Sequence, residues 1–518
     1  MNPYFAFVSI CLFVVPWLNP FAQGPSPATA PLLFSWLCAV VLIILGVARL
    51  STADRLVSVA AWSWVIAAMI SSCIGLLQYF GAASDFSPWV NQTRYGEAFG
   101  NLRQRNQFAT LTNIALAALV WIAMHVHGGN TTRRRLADVS LALFAAGLLA
   151  VGNAISSSRT GLFELLLLCA LFGSWGQWRN LQVCRVLVCA VLVYAVGALC
   201  IPYLAGLDLY SYGAFARLGK DDACSSRLVL WSNVLHLIAQ KPWLGWGWGE
   251  LDYAHFITLY NGPRFCDILD NAHNLPLQLA VELGVPLALL ICGGFAWWVW
   301  CQKPWAERDA TRQMAWAVIA VILLHSMLEY PLWYGPFQMA LGICLILLVY
   351  HPKPPSEAKG SFDNASNLPS NHISYARAAT VSIAFMLLGF TAYAAWDYRR
   401  ISQIYLPPEA RDAYYRSDTL GKIRSSWLFA DQVQFAELMI TPLSQANAAL
   451  TFQAANRVLH YSPEPRVIEK LIESAVMLGR DDQAMAYLAR YRVAFPKEYA
   501  LWAETNAKPK ATSSTNPG

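Results

Sequence analysis

The stretch "DNAHNLPLQLAVELGVPLALLICGGFAWWVW", residues 270–300, joins a polar cluster to one of the most apolar runs in the chain. Asp270, Asn271, His273 and Asn274 crowd its start. The run from 284 to 302 is long and apolar enough to cross about 30 Å of hydrocarbon as a helix. A histidine at the mouth of such a segment is either a polar cap at a membrane interface or an imidazole that does chemistry there. The remainder of the sequence has to decide between them.

The whole chain has the same character. Its 518 residues are 56% hydrophobic and only 13% charged, with a mean hydropathy of +0.39, which excludes an ordinary soluble protein. The 21 tryptophans suit a protein whose amphipathic rings line membrane interfaces. Apolar runs of helical spanning length fall at 3–19, 31–48, 56–78, 108–127, 136–152, 160–175, 183–203, 284–302, 313–330, 334–350 and 377–397. The first lacks the basic leader and small-residue cleavage site of a signal peptide, so it reads as a retained span. The pattern predicts an all-α, polytopic membrane helix bundle of about eleven spans.

Short connections carry the arginines and lysines that orient such a bundle. With the N-terminus inside, the inner loops hold Arg49 and Arg55, Arg133, Arg134 and Arg135, Arg179, Lys303, Arg308 and Arg312, and Lys353 and Lys359. The long connections 79–107 and 204–283, and everything after 397, then lie outside. The net charge of +6 is therefore a topology signal, and no nucleic-acid patch is indicated. Of the twelve cysteines, only Cys224 and Cys266 lie away from apolar spans. Both sit in the long outer loop, where an oxidising compartment would join them as a disulfide.

Residues 1–351 form the membrane body, with the outer loop at 204–283. A Pro/Ser/Asn-rich linker occupies 352–376, the last span 377–397, a helical outer domain 398–506 and a disordered end 507–518. In that outer domain Gly479, Ala484, Leu488 and Pro496 stand at the offsets of the second helix of a tetratricopeptide unit, and the segment resembles that family. Pro463 precedes Pro496 by close to one repeat.

Ionisable groups at the membrane rim are costly and invite a functional reading. In "GEAFGNLRQRNQFATL", Arg103 and Arg105 stand at a helix start with Asn101, Gln104 and Asn106, where backbone N–H groups and guanidinium make an anion seat. In "NAISSSRTGLFELLLL", Arg159 follows three serines; it either snorkels or meets a phosphate. In "CSSRLVLWSNVLHLIAQKPWLGWGWG", Arg227 and Trp231 share a helix face, and the glycine–tryptophan run suits sugar faces or the interface. Asn274 is a fitting N-cap and Pro276 suits a first turn, which leaves His273 just outside a helix that enters the membrane. Near its ordinary pKa an imidazole takes a proton from an attacking hydroxyl at neutral pH. His325 and Glu329, four residues apart, are read on one helix face, as a stabilising pair or as part of the site. No spacing supports a metal site or a cofactor.

Together these segments resemble the O-antigen ligase and O-antigen polymerase superfamily of bacterial inner-membrane glycosyltransferases. The family signature is His, then Asn/Ser/Gln, nine residues, Gly, two residues, and Gly/Thr/Tyr. His273, Asn274 and Gly284 match it, and Leu287 departs from its last position. "SSRLVLW" and "KPWLGWGWG" are similar to the Arg-containing segment that opens the family's periplasmic loop. "GNLRQRNQFATL" and "HSMLEYPLWY" resemble the protein O-oligosaccharyltransferase branch, the PglL-type enzymes.

The resemblance implies an inverting, metal-independent transfer at the periplasmic side of the inner membrane. The donor would be an undecaprenyl-diphosphate-linked glycan and the acceptor a Ser or Thr hydroxyl of a periplasmic or pilin protein. His273 would activate the acceptor, and Arg159 and Arg227 would bind the diphosphate. Attachment of glycan to lipid A core and polymerisation of repeat units are the alternatives within the class. A transporter would place paired ionisable groups near mid-membrane in symmetric halves, and a scaffold would not need Arg159, Arg227 and His273 on a common face; the sequence favours neither.

Overall fold

A computed structural model describes residues 3–22, 24–49, 53–125, 132–208, 224–350 and 370–507. Arg217, Lys353, Lys359, residues 352–369 of the expected linker and residues 508–518 of the expected tail lie outside the described residues. The described chain is helical throughout and contains no strand. It divides into two compact units, Met1–Lys220 with Trp297–Tyr398, and Asp221–Ala296 with Arg399–Gly518.

The first unit holds α1 (Pro3–Leu18), α2 (Thr29–Arg49), α3 (Ala53–Tyr79), α4 (Arg105–His125), α5 (Thr132–Ile155), α6 (Arg159–Ser174) and α7 (Leu181–Leu204). In the second unit α8 (Arg227–Gln240), α9 (Leu251–Ile257) and α10 (Leu275–Leu283) follow, and then α11 (Val285–Gln302). The chain continues with α12 (Ala310–Ser326), α13 (Gly335–Tyr350) and the long α14 (Ser370–Ser402), which takes in residues 370–376 of the segment read as linker. Among the described residues seven helices are long and apolar enough to cross a membrane. Three shorter apolar helices accompany them, at Tyr4–Leu18, Ala310–Ser326 and Gly335–Val349.

Helix α4 is the pillar of the first unit. It packs against α3, α5, α6, α7 and α12, and every residue from Gln107 to Ile122 is buried. Its small residues Ala109, Ala115, Ala117 and Ala118 admit close neighbours. Helix α11 is the opposite case: Leu289, Leu290, Trp297 and Trp300 are exposed. A helix this apolar with so little cover needs lipid against it.

Arg312, read from the sequence as a loop cation, is instead the most deeply placed guanidinium, 1% exposed. Its Nε donates to Glu307 Oε2 at 2.7 Å, Nη1 to the Leu348 carbonyl at 2.7 Å and Nη2 to Gln302 Oε1 at 3.2 Å. This arrangement satisfies a charge that would otherwise be prohibitive at such a depth.

In the second unit, Leu230, Val234 and Leu237 of α8 form a core with Leu251, Ala254, Phe265, Leu269 and Val281. The tail supplies α15 (Thr419–Ile423), α16 (Ala430–Ile440), α17 (Ala448–Val458), α18 (Pro465–Met477), α19 (Asp481–Ala494) and α20 (Pro496–Ala507). Successive tail helices pack against one another. Gly479 makes the α18–α19 turn at φ +68°, Ala484 is buried, and Pro496 opens a new helix. Phe256 of α9 sits inside the tail core beside Leu471 and Tyr491, and Arg490 Nε donates to the Ile257 carbonyl at 2.8 Å. Helix α9 therefore contributes to both cores, Leu251 and Ala254 to that of the loop and Phe256 to that of the tail.

Arg312→Ala leaves Glu307 buried without its partner and should destabilise the protein by about 3–5 kcal/mol. The joint change Arg312→Met with Glu307→Leu should cost markedly less. Thermal melting of the detergent-solubilised protein distinguishes the two.

Candidate active site

His273 lies in the second unit, in the turn that leads into α10. Asn274 caps that helix, its Oδ1 accepting from the Leu277 N–H at 3.1 Å, and Pro276 occupies the first turn. The histidine backbone is left-handed, φ +50°, a conformation uncommon for a residue with a Cβ. Neighbours hold it there. The His273 N–H donates to Asn271 Oδ1 at 2.8 Å, and the Ala272 N–H donates to Gln278 Oε1 at 2.6 Å. Trp231 Nε1 donates to the Ala272 carbonyl at 3.1 Å. Asp270 interacts electrostatically with the His273 ring.

That tryptophan contact brings the first turns of α8 to the histidine loop. Arg227 is the first residue of α8, and Ser226 caps it, accepting from the Val229 N–H at 3.3 Å. Cys224, just upstream, forms a disulfide with Cys266, Cα to Cα 5.4 Å. Thus Arg227, Trp231, His273, Asn274 and the cysteine pair belong to one structural neighbourhood. Trp231 acts in it as a positioning residue through its indole N–H.

The sequence reading had α10 run on into the membrane. The structure corrects this: α10 ends at Leu283, and the membrane-grade helix α11 starts anew at Val285. Gly284 stands between them with φ +87° and ψ 157°, a region essentially reserved for glycine. A Cβ there would lie 2.2 Å from the Trp243 carbonyl oxygen, and one on Gly245 would lie 2.3 Å from that of Glu282.

Two backbones therefore touch, and hydrogen bonds zip them. Trp246 N–H donates to Val281 O at 2.8 Å, Gly247 N–H to Glu282 O at 3.0 Å and Val285 N–H to Pro242 O at 2.8 Å. The segment read as a ring platform is first of all a clamp. Trp246 is tied down by its bond to the Leu237 carbonyl at 3.0 Å, with Lys241 Nζ 3.9 Å above its ring. Trp243 and Trp248 are exposed.

Carboxyl groups near the clamp are unusual. Burial pushes Glu282 up to about 7, although the Gly249 N–H donates to its Oε1 at 2.9 Å. Its Oε2 is buried and makes no well-aligned hydrogen bond among the described residues, although the Gln278 side chain acts on the carboxyl. Burial also raises Asp252 to about 8, with Asp270 and Glu250 adding like charge.

The remaining candidates lie in the first unit. Arg159 opens α6 and is exposed, with no partner among the described residues. Ser158 caps that helix, accepting from the Gly161 N–H at 3.0 Å and donating to Asn106 Oδ1 at 2.7 Å. Asn106 in turn donates to Glu329 Oε1 at 3.3 Å, and Gln104 donates to Glu329 Oε2 at 3.2 Å. Arg103, at φ +62°, donates to the Pro20 carbonyl, and Arg105 pairs with Glu97, so both guanidinium groups hold the local loop. Helix α12 stops at Ser326, three residues before Glu329, because the chain must turn ahead of Pro331. The Glu329 N–H nevertheless donates to the His325 carbonyl at 2.8 Å, and the Glu329 carboxylate acts electrostatically on the His325 ring, so the two residues paired by spacing stay close. The imidazole meets Thr110 and the carboxylate meets α4.

A further group was not singled out from the sequence. Thr110 Oγ1 lies 2.7 Å from Glu164 Oε1, 2.8 Å from His325 Nδ1 and 2.8 Å from the Asn106 carbonyl. One hydroxyl has one proton to give, so Glu164 or His325 must direct a proton of its own at Thr110. Asn113 Nδ2 donates to Glu164 Oε2 at 2.9 Å. The visible signal was a glutamate inside the apolar run "GLFELLLL". Among the described residues no group of three or more His, Cys, Asp or Glu side chains is placed to hold a metal ion.

Comparisons with known proteins agree with this architecture. Residues 144–292 match the family described as O-Antigen ligase, 98–123 the Protein glycosylation ligase family, and 313–509 the C-terminal part of a virulence factor membrane-bound polymerase. The chain is 24% identical over 294 residues to the ComP-specific O-oligosaccharyltransferase of Acinetobacter baylyi, covering 57% of this chain and 51% of that protein. It is 24% identical over 303 residues to that organism's general O-oligosaccharyltransferase, again covering 57% and 51%. Identity to the O-antigen ligase of Pseudomonas aeruginosa is 27% over 296 residues, covering 57% of this chain and 61% of that protein. The chain spans about half the length of the oligosaccharyltransferases it matches. Fold and matches together give a likeness: an all-helical chain with membrane-length apolar helices, similar over parts of its length to the O-antigen ligase and membrane-bound polymerase families. It is also similar to the protein-glycosylation ligases.

Gly284→Ala should cost about 1–3 kcal/mol from its backbone conformation, with the clash on Trp243 added, and should release the clamp. Glu282 gives a pH signature. Its folded pKa stands above the ordinary carboxylate value of 4.5, so its contribution is full below pH 4.5 and is lost as pH rises towards 7. That loss is on the order of 3 kcal/mol. Melting curves between pH 4 and 8 should show a fall that Glu282→Gln flattens.

Proposed function

We propose that this protein transfers a preassembled glycan from an undecaprenyl-diphosphate carrier to Ser or Thr hydroxyls of periplasmic or pilin proteins. It would do so from the bacterial inner membrane, with the site facing the periplasm. The observation that carries this reading is the braced His273 loop. A left-handed histidine, fixed by Trp231, Asn271 and Gln278, stands beside the capped helix that begins with Arg227.

In the proposed reaction the acceptor hydroxyl attacks the anomeric carbon and its proton passes to the His273 imidazole. The bond from that carbon to the diphosphate oxygen breaks with inversion, and the electron pair leaves on undecaprenyl diphosphate. Arg159 and Arg227 bind the diphosphate and offset the charge that grows on the leaving group. No metal is required in this scheme. A base of this kind contributes roughly 10²–10⁴-fold in rate. Arg103 and Arg105, engaged with Pro20 and Glu97, support the donor side by fixing the loop ahead of α4.

The 27% identity to an O-antigen ligase favours a second reading, transfer of glycan to lipid A core. A deletion strain separates the two. Loss of glycoprotein with intact lipopolysaccharide supports protein transfer, and the reverse result supports the ligase.

His273→Ala should abolish transfer while the protein still inserts and accumulates. Arg227→Lys should reduce it severely, because a point charge does not reproduce the guanidinium fork. Glycan transfer in membranes from complemented cells, normalised to protein level, reads both. Full activity in both variants removes the mechanism.

A further inference from the structure

The tail carries a cationic cavity that the transfer chemistry does not use. Helix α17 contributes Phe452, Gln453, Asn456 and Arg457, His460 follows it, and Arg480 faces them from the turn before α19. Together they line an open hollow of about 450 Å³. Phe452 is almost buried, and the Arg480 guanidinium lies 4.6 Å from the centre of its ring. Stacking of this kind leaves the in-plane N–H groups for an anion.

Neither Arg457 nor Arg480 forms an ion pair among the described residues, although Asp481 and Asp482 directly follow Arg480. His460 is already committed. Its Nδ1 is 2.7 Å from Glu250 Oε2 and its ring stacks on Tyr253 at 3.7 Å, which makes it a wall of the cavity. Tyr487 donates to Asn456 Oδ1 at 3.0 Å, which leaves the Asn456 amide N–H groups as donors.

Acidic and basic residues are nearly balanced over 399–507, so two unpaired guanidinium groups around one hollow are a local concentration of charge. A lipid headgroup would use the two cations and leave the amides idle. A polypeptide uses both, with carboxylates on the arginines and peptide carbonyls on Gln453 and Asn456.

We propose that this cavity docks an acidic segment of the acceptor polypeptide and so raises the local concentration of the hydroxyl to be modified. The inference rests on the reading that the acceptor is a protein.

The test uses the full-length protein in nanodiscs and a fluorescein-labelled peptide in which Asp and Glu flank a serine. Fluorescence anisotropy should show saturable binding that weakens as salt rises. Arg457→Glu with Arg480→Glu should weaken it at least tenfold, whereas Arg457→Lys with Arg480→Lys should retain most of it. Circular dichroism confirms that each variant is folded. Equal binding of a peptide with Asn and Gln in place of the acids would overturn the proposal, as would unchanged binding by the charge-reversed protein. So would capture of phosphatidylglycerol vesicles, and not the peptide, through the same arginines.

Glycan transfer measured on the same preparation keeps this inference apart from the reaction. Docking predicts a raised KM for the acceptor in the charge-reversed protein with kcat unchanged. Peptide binding without glycan transfer to any protein would sink the proposed reaction and leave docking intact. Transfer at unchanged KM would do the opposite.

Discussion

The contact on which the second unit depends is between two backbones, at Gly245 and Gly284. Each glycine lies where a single methyl group would fall about 2.2–2.3 Å from a carbonyl oxygen of the other strand of chain. Only because both side chains are absent can residues 242–247 hydrogen-bond to 281–285. Each such bond is worth only about 1 kcal/mol net, but together they end α10 after Leu283 and turn the chain into α11. Trp246 carries the constraint on to α8 through Leu237. The far end of the short α10 is the His273 loop, so the clamp at one end and Trp231 at the other fix the helix between them. Glu282 is drawn into this junction with one carboxyl oxygen buried and without a well-aligned hydrogen bond among the described residues, which makes the clamp sensitive to proton uptake.

Much of this was legible one residue type at a time. Hydropathy located the apolar helices, since a span is a property of composition and length. Caps were legible too: Asn274 and Pro276 are local features, and so is Gly479 in its turn. What was hidden is what depends on distant partners. Thr110 meets an imidazole 215 positions away, and Phe256 of the loop finds its core among tail helices. Periodicity shows that a residue will be buried but not against what. Gly284 could be matched to a signature, yet its reason, the Trp243 carbonyl, lies some forty residues upstream. The glycine–tryptophan run holds a second role beside its exposed rings: the glycines between them carry the conformation at φ +70°, +116° and +79°.

The first unit handles polar groups by a different rule. Ionisable side chains inside an apolar bundle are costly unless neighbours are arranged to receive them. Glu164 accepts from Asn113 and shares Thr110 with His325. Arg312 is satisfied by Glu307, Gln302 and a carbonyl. Helix α4 makes the first arrangement workable because it is both small-sided and polar along one stripe, with Asn106, Thr110 and Asn113 spaced at helical turns. The same stripe, one turn further out, reaches Ser158 and thereby the start of α6, where Arg159 stands. The exposed arginine is thus mounted on a network that cannot easily shift.

Left-handed backbone at residues other than glycine costs on the order of 1–3 kcal/mol, and the described chain has it at Arg103, Ser157, His273, Lys303 and Asp418. Strain alone does not mark function. Asp418 accepts from the Gly421 N–H and serves as a helix cap, a use that repays the conformation locally. His273 differs in that groups around it visibly hold the turn. The neighbouring amides and carbonyls do that, through Asn271, Gln278 and Trp231. Part of the energy that holds the backbone is thus supplied by other residues. That a histidine occupies the strained position, beside a scaffold provided by three neighbours, is the observation that supports the proposed role of its ring.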